Sequence, residues 1–332
     1  MTSTSTGRGR PDGGLYPQVR LRHWGRWVSA VVLVALGITF LYGAAQGDIA
    51  YGDIPYYLVS PIILQGLVNT IVLAVVAQVS AIVIGIVIAL MRISKNPVAQ
   101  AFASAYTWLF RGLPVLLQIL LWYNLALLFP RLTVGVPFTD VVFLDVSTND
   151  IMTTFVAAFL GLALNESAYM AEIVRAGLLS VDKGQEEAAV ALGMSWSQTM
   201  TRVILPQSMR VIIPPTGNEV ISMLKTTSLV TAVPFSLELY TRSRDISAET
   251  FNPIPLLIVA SIWYLFFTSI LMVGQYFLEK RFSRGVGDRQ ADKSDAGGGL
   301  TGAVPIVGAA QPTVVLPPTP DQPGTPGTGG PR

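Results

Sequence analysis

Four charged side chains stand inside or beside apolar runs of this 332-residue sequence: Arg111, Glu166, Glu219 and Lys225. A charge at mid-bilayer costs about 2.5 to 3.5 kcal/mol on insertion scales, so each needs a partner or a task. Arg111 precedes Gly112-Leu113-Pro114, a break tolerable in a membrane only against protein or a water-filled cavity. A guanidinium there could hold a substrate carboxylate bidentately. It could instead pair with Glu166 or Glu219 and fix helix packing, and a structural or gating role is the reading adopted. Glu166 follows Asn165 and lies three residues before Tyr169, which puts Glu166 and Tyr169 on one helical face. That face could recognise an α-amino group or a cationic side chain, or it could hydrogen-bond across a dimer interface. Lys225, Thr226, Thr227 and Ser228 follow Pro214, Pro215 and Gly217, which are expected to break the helix. Such a stretch suits a translocation pathway or a satisfied polar interface between helices. Glu172 and Arg175, three apart, read as an ion pair steadying the base of the loop that follows.

Other chemistries are excluded by what is missing. The sequence has no cysteine and one histidine, His23, so thiolate metal sites, Cys nucleophiles and His-based metal centres are ruled out. His23 is expected at headgroup level with no special role. No phosphate-binding G-x-x-x-x-G-K-[ST] occurs, so any ATP hydrolysis must come from another polypeptide and no cofactor is expected on this one. The net charge of +2 is too small to argue for nucleic acid.

The elements that must carry these residues are membrane spans. Hydrophobic residues make up 51% of the chain and charged ones 13%, about half the charge of an ordinary soluble domain. A spanning helix needs about 20 apolar residues, and six segments qualify: Trp27 to Ala45, about Ile63 to Met91, Ala101 to Phe129 (interrupted near Arg111), Ile151 to Val174, Val211 to Val233, and Ile254 to Tyr276. The expected fold is therefore all-α, with one N-terminal span and a five-helix core over 62–282. With the N-terminus inside, 17 of the 22 Lys+Arg fall in cytoplasmic segments and three in outer loops, so both termini are expected in the cytoplasm. Trp27 to Ala45 is too long for a signal-peptide core and reads as an uncleaved helix behind a basic segment, 1–26. The tail, 290–332, is rich in Pro and Gly with few large hydrophobics, and is expected to be disordered and cytoplasmic.

Between the fourth and fifth spans lies a stretch too long for a simple connector. Gln185 to Leu192 are strong helix formers, Gly193 offers a left-handed stop, and Ser195 with Gln198 forms a capping-box pattern. The product is a helix–turn–helix, its second arm ending before Leu205-Pro206, with Met194, Trp196, Met200 and Val203 as exposed apolar side chains. Pattern alone leaves two uses open, a docking surface or a hairpin lying on lipid headgroups.

Glu187-Ala188-Ala189, three residues, Gly193, nine residues, then Val203-Ile204-Leu205-Pro206 resembles the EAA signature of binding-protein-dependent ABC importer permeases. Gly66-Leu67-Val68-Asn69-Thr70, Arg111-Gly112-Leu113-Pro114, Ala168 through Arg175, Gly184-Gln185-Glu186, Pro206-Gln207 and Leu224-Lys225-Thr226-Thr227-Ser228-Leu229 resemble the polar-amino-acid members. Val203 stands where Ile is usual and Leu113 where Thr is commoner. The resemblance implies a type I importer fold: a permease dimer (two copies or two related subunits), two ATPase subunits on the cytoplasmic loops, and an extracytoplasmic solute-binding protein, all in the bacterial cytoplasmic membrane. It implies that Gln185, Glu187, Ala188, Ala189, Gly193, Trp196 and Pro206 in the loop 184–206 couple to the ATPase, which binds the ATP. Arg111, Glu166, Tyr169, Glu219, Lys225, Thr226 and Ser228 are the pathway or gating candidates for an amino-acid substrate. The competing function is an ion-coupled secondary transporter using Glu166 and Glu219, for which the long loop would have no use. A membrane-embedded enzyme is set aside for want of any His, Asp and Glu cluster at metal spacing.

Overall fold

A computed structural model describes residues 24–47, 49–136 and 141–282. The basic segment up to residue 23, His23 within it, and the Pro/Gly-rich tail lie outside the described residues. The first helix, α1 (Trp24–Ala45), is followed by a short 3-10 turn, by α2 (Ile54–Leu58), and by α3 (Pro61–Ile93). Asn96 caps α4 (Pro97–Gly112) through Val98 N, and α4 is separated from α5 (Val115–Tyr123) by a 102° bend. After the single turn α6 (Leu125–Leu128) come two strands, β1 (Arg131–Gly135) and β2 (Val142–Ser147), and the turn α7 (Thr148–Ile151). Then follow α8 (Thr154–Leu179), α9 (Lys183–Ala191), α10 (Trp196–Thr199), α11 (Leu205–Thr226), α12 (Leu239–Thr250) and α13 (Pro253–Phe282).

The chain is mostly helical, and the expectation of an all-α protein is corrected by the antiparallel hairpin β1–β2. Its apolar pairs, Leu132 with Val146 and Val134 with Leu144, alternate with Arg131–Ser147 and Thr133–Asp145, a period of two that belongs to strands. Among the described residues four helices are long and apolar enough to cross a membrane, or five if α4 and α5 form one span. The expected fifth span corresponds to α11, which starts six residues earlier and runs unbroken through Pro214 and Pro215 before giving way to a 3-10 turn at Thr227–Ala232. Each proline lacks an N–H and so removes one ladder bond. At this site α13 closes in: Gln275 Nε2 donates to the Pro214 carbonyl at 2.7 Å. Gly217 leaves room for it, since a Cβ there would fall 1.6 Å from Gln275 Oε1.

The core gathers around α3 and α8. Leu73, Ala77, Ile119, Ala158, Leu162, Met223 and Val230 form its largest buried cluster. Small residues set the approach of the helices. A Cβ on Gly85 would sit 2.6 Å from Met170 Cβ, and one on Gly161 would sit 3.0 Å from Ile119 Cα. Helices in lipid gain little from burying apolar surface against one another, so close backbone contact and dispersion hold such pairs together. By contrast α1 has no buried residue.

Candidate functional site

Local chemistry builds the hairpin. Asp182 caps α9 by accepting from Gly184 N at 2.7 Å. At its far end Gly193 has φ of 76°, a left-handed turn that only glycine adopts without cost. Gly193 N donates to Val190 O and Met194 N to Ala189 O, the paired bonds of a Schellman stop. Ser195 and Gln198 then form a reciprocal capping box over α10. The second arm does not end before Leu205-Pro206 as expected. It passes through a π turn at Met200–Ile204 directly into α11. Pro206 cannot donate to the carbonyl four residues back, and a wider turn accommodates its ring.

Of the residues expected to couple, Gln185, Glu187, Ala188, Gly193, Trp196 and Pro206 are exposed, and Ala189 is buried beneath them. Gln185 Oε1 accepts from Gln207 Nε2 at 3.4 Å, a long bond linking the two arms. The apolar tip differs in part from expectation. Trp196 is exposed, joined by Val190 and Leu192, whereas Met194, Met200 and Val203 are half-buried. Met200 turns inward because it packs with Ile204 and Leu205 on a cluster formed by Ala89, Val174, Leu178 and Ile212.

Inside the bundle the expected pathway residues divide among three cavities. Glu166, Tyr169, Glu219 and Thr226 line one of about 340 Å³, together with Asn165 and Ser222. Glu166 is 8% exposed and its Oε1 has no hydrogen-bond partner among the described residues. Lys225 and Ser228 face a second, of about 280 Å³, with the hydroxyl-bearing Tyr240, Ser261 and Tyr264. Lys225 and Thr226 thus point into different spaces, although they are adjacent in sequence. Arg111 lies in a third, of about 450 Å³, beside Tyr169.

Arg111 meets neither Glu166 nor Glu219. Its Nη1 is 3.7 Å from Glu172 Oε1, and its guanidinium carbon lies 5.2 Å from the Tyr169 ring centre. Glu172 is shared further: Arg92 pairs with the same carboxylate oxygen, and Arg175 Nε donates to Oε2 at 2.9 Å. The expected Glu172–Arg175 pair is therefore one side of a cluster of three arginines about one carboxylate.

Sequence reasoning passed over two polar nodes. Pro114 frees the carbonyl of Phe110 four residues back, and that oxygen accepts from Asn165 Nδ2 at 2.7 Å and Gln118 Nε2 at 2.9 Å. Gln118 also donates to Leu113 O at 2.9 Å, so two side chains satisfy the broken helix. The signal was a lone glutamine four residues after a proline in an apolar run. The second node is Glu238, fully buried. It caps α12 by accepting from Thr241 N at 2.9 Å, and it also accepts from Thr70 Oγ1 at 3.2 Å and from the Tyr264 hydroxyl. Asn69 Nδ2 donates to Leu237 O at 3.1 Å, and a Cβ on Gly66 would lie 3.2 Å from Leu239 Cα. The segment Gly66 to Thr70 is thus the seat on which α12 begins.

Comparison with known proteins agrees with this architecture. Residues 81–284 match the model of the binding-protein-dependent transport system inner membrane component. The arginine transport system permease protein ArgU of Corynebacterium glutamicum is 48% identical over 295 residues, covering 86% of this chain and 91% of that protein. The arginine transport system permease protein ArtQ of Bacillus subtilis is 34% identical over 216 residues, 65% of this chain and 90% of its own length. The crystal structure of an amino acid ABC transporter with histidines superposes with a TM-score of 0.59 at 32% identity, covering 71% of this chain and all of that one. With its helical bundle, its hairpin and these relatives together, the chain belongs to the family of binding-protein-dependent transport system inner membrane components.

Proposed function

We propose that this chain is the membrane-spanning permease subunit of an ATP-driven importer for polar amino acids, with the hairpin as the contact for a separate ATPase. The observation that carries the reading is mechanical. From Trp196 the backbone stays helical through the π turn to Thr226, so the tip and the cavity-lining Glu219 and Thr226 belong to one continuous rod. A partner that grips Gln185, Glu187, Ala188, Gly193 and Trp196 and moves on binding ATP would shift that rod against α8, whose Glu166 and Tyr169 face it across the cavity. Alternating access then needs only a two-state bundle biased by the nucleotide.

Glu166 and Glu219 line the cavity with two carboxyl groups, acceptors suited to an amino acid with a cationic side chain, in keeping with relatives named for arginine transport. The family assignment favours this reading over an ion-coupled transporter built on the same two carboxylates. The full assembly would hold two permease subunits, two ATPases and a solute-binding protein delivering substrate from outside. In the proposed topology six spans, α1 among them, cross the bacterial cytoplasmic membrane with both termini inside. ATP would bind to the partner, and this chain would carry no catalytic group.

Glu187→Lys tests the coupling surface, because Glu187 is exposed on the hairpin, outside the buried clusters of the bundle. In proteoliposomes holding the complete transporter, the variant should insert normally and lose ATP-driven uptake. Normal uptake would remove the docking surface from this hairpin.

A further inference from the structure

The three-arginine cluster carries more positive charge than Glu172 neutralises. Arg92, Arg111 and Arg175 surround that one carboxylate, and among the described residues no other acid pairs with any of them. Arg175 occupies one carboxylate oxygen and Arg92 the other. Arg111, at 3.7 Å, contributes a loose ion pair, and its side chain is 44% exposed and makes no hydrogen bond among the described residues. Its five donors form a planar fork that fits a phosphate or carboxylate. Arg92 and Arg111 both open onto the cavity of about 450 Å³ between α3, α4 and α8, where the hydroxyls of Ser104 and Thr107 add polar lining. Excess cationic charge in a cavity is a demand for an anion.

The position of the cavity says which anion. It lies toward the C-terminal ends of α3 and α8, since Arg92 is the penultimate residue of α3 and Glu172 is seven residues before the end of α8 at Leu179, from which the hairpin follows. Its rim continues into an apolar stripe on the outside of α4. Val98, Phe102, Trp108 and Leu109 share one helical face and are 74%, 57%, 77% and 43% exposed. Trp108 belongs to both the stripe and the cavity wall. A guanidinium pocket bordered by a long exposed apolar strip matches a molecule with an anionic head and hydrocarbon tails.

We propose that this cavity holds the phosphate of an anionic phospholipid from the leaflet on the hairpin side, with its acyl chains laid along the exposed face of α4. Basic pockets between helices at that level recognise such headgroups. The bound lipid would neutralise Arg111 and bridge α4 to the α3–α8 pair at the 102° break. This inference concerns the chain alone and does not rest on the transport reading.

Native mass spectrometry of the purified full chain in neutral detergent supplies the test, with dioleoyl-phosphatidylglycerol, dioleoyl-phosphatidylcholine and inorganic phosphate as separate probes. The expected result is one phosphatidylglycerol retained per chain, well over tenfold in preference to phosphatidylcholine and undisplaced by millimolar phosphate. Arg111→Gln should weaken retention about fivefold, the worth of one basic side chain at an anionic surface. Ser104→Leu fills the cavity without touching a charge and should also lower retention, which keeps the proposal testable if Arg111→Gln fails to fold. Equal retention of both lipids would overturn the site. Retention that survives Ser104→Leu would overturn its location. Displacement of the lipid by phosphate would mean the pocket takes the free ion, and the lipid assignment would fall.

Discussion

Gly193 offers the sharpest test of how the hairpin is held. Its φ of 76° lies in the left-handed region, and a Cβ built there meets nothing within 4 Å. Replacing it therefore changes no packing, and the whole cost is the backbone term. For an L-residue that term is about 1 to 2 kcal/mol, a factor of about 5 to 30 in a local equilibrium. Asn tolerates this conformation best among the alternatives, Ala less, and a β-branched Val least. The amides of Gly193 and Met194, which close the turn on Val190 O and Ala189 O, report the effect directly. Hydrogen exchange over 183–204 should lose protection in the order Asn, Ala, Val, with Ala falling about 5- to 30-fold. Uptake in proteoliposomes should fall in the same order while insertion is unchanged. Unchanged protection in Gly193→Val would refute the reasoning. So would Ala proving worse than Val, because β-branching adds to the cost of a left-handed backbone and can only deepen the loss.

Two further outcomes follow from the polar nodes outside the hairpin. Gln118→Leu strips Leu113 O of its side-chain donor and leaves Phe110 O with Asn165 alone. It should lower stability by about 1 to 2 kcal/mol, read as a lower thermal midpoint in detergent. Combined with Asn165→Ala, the loss should exceed the sum of the two single changes, because both donors serve Phe110 O; strict additivity would argue against a shared role. In the β1–β2 hairpin the Arg131 guanidinium hydrogen-bonds Asp145 at 2.8 Å and holds its carboxyl below the usual carboxylate range. A depressed folded value means the pair helps the hairpin above about pH 3.9, the ordinary Asp value, and the help fades as pH falls through the lowered one. An NMR titration should show Asp145 ionising below that ordinary value and Arg131→Gln returning it upward. A wild-type value at or above it would contradict the pair.

Much of the hairpin was legible because its signals are local. A glycine after a run of helix formers and a Ser–Gln pair three apart each act within one turn, and the structure places the left-handed turn at Gly193 and the capping box at Ser195. The Leu205-Pro206 stop misled for a related reason. A proline forbids one hydrogen bond but does not forbid a wider turn, and packing of Met200 and Leu205 on the bundle keeps the helix going. The strands were overlooked because β1 and β2 are short and lie in the connection between two expected spans, where hydropathy does not report which residues pair.

The sequence by itself determined the apolar segments, their lengths and the hairpin between α8 and α11, since hydropathy and capping are properties of neighbouring residues. Only the tertiary structure decided which charges meet. Glu172 gathers Arg92 from 80 residues away and Arg111 from the far end of α4. Lys225 parts from Thr226 into a separate cavity, and Gln275 reaches the Pro214 carbonyl from α13. Such pairings depend on how each helix is rotated and how closely it approaches its neighbour. Those quantities are set by contacts such as Gly85 on Met170 and Gly161 on Ile119, where the relevant residues lie far apart along the chain and no local pattern records that they touch.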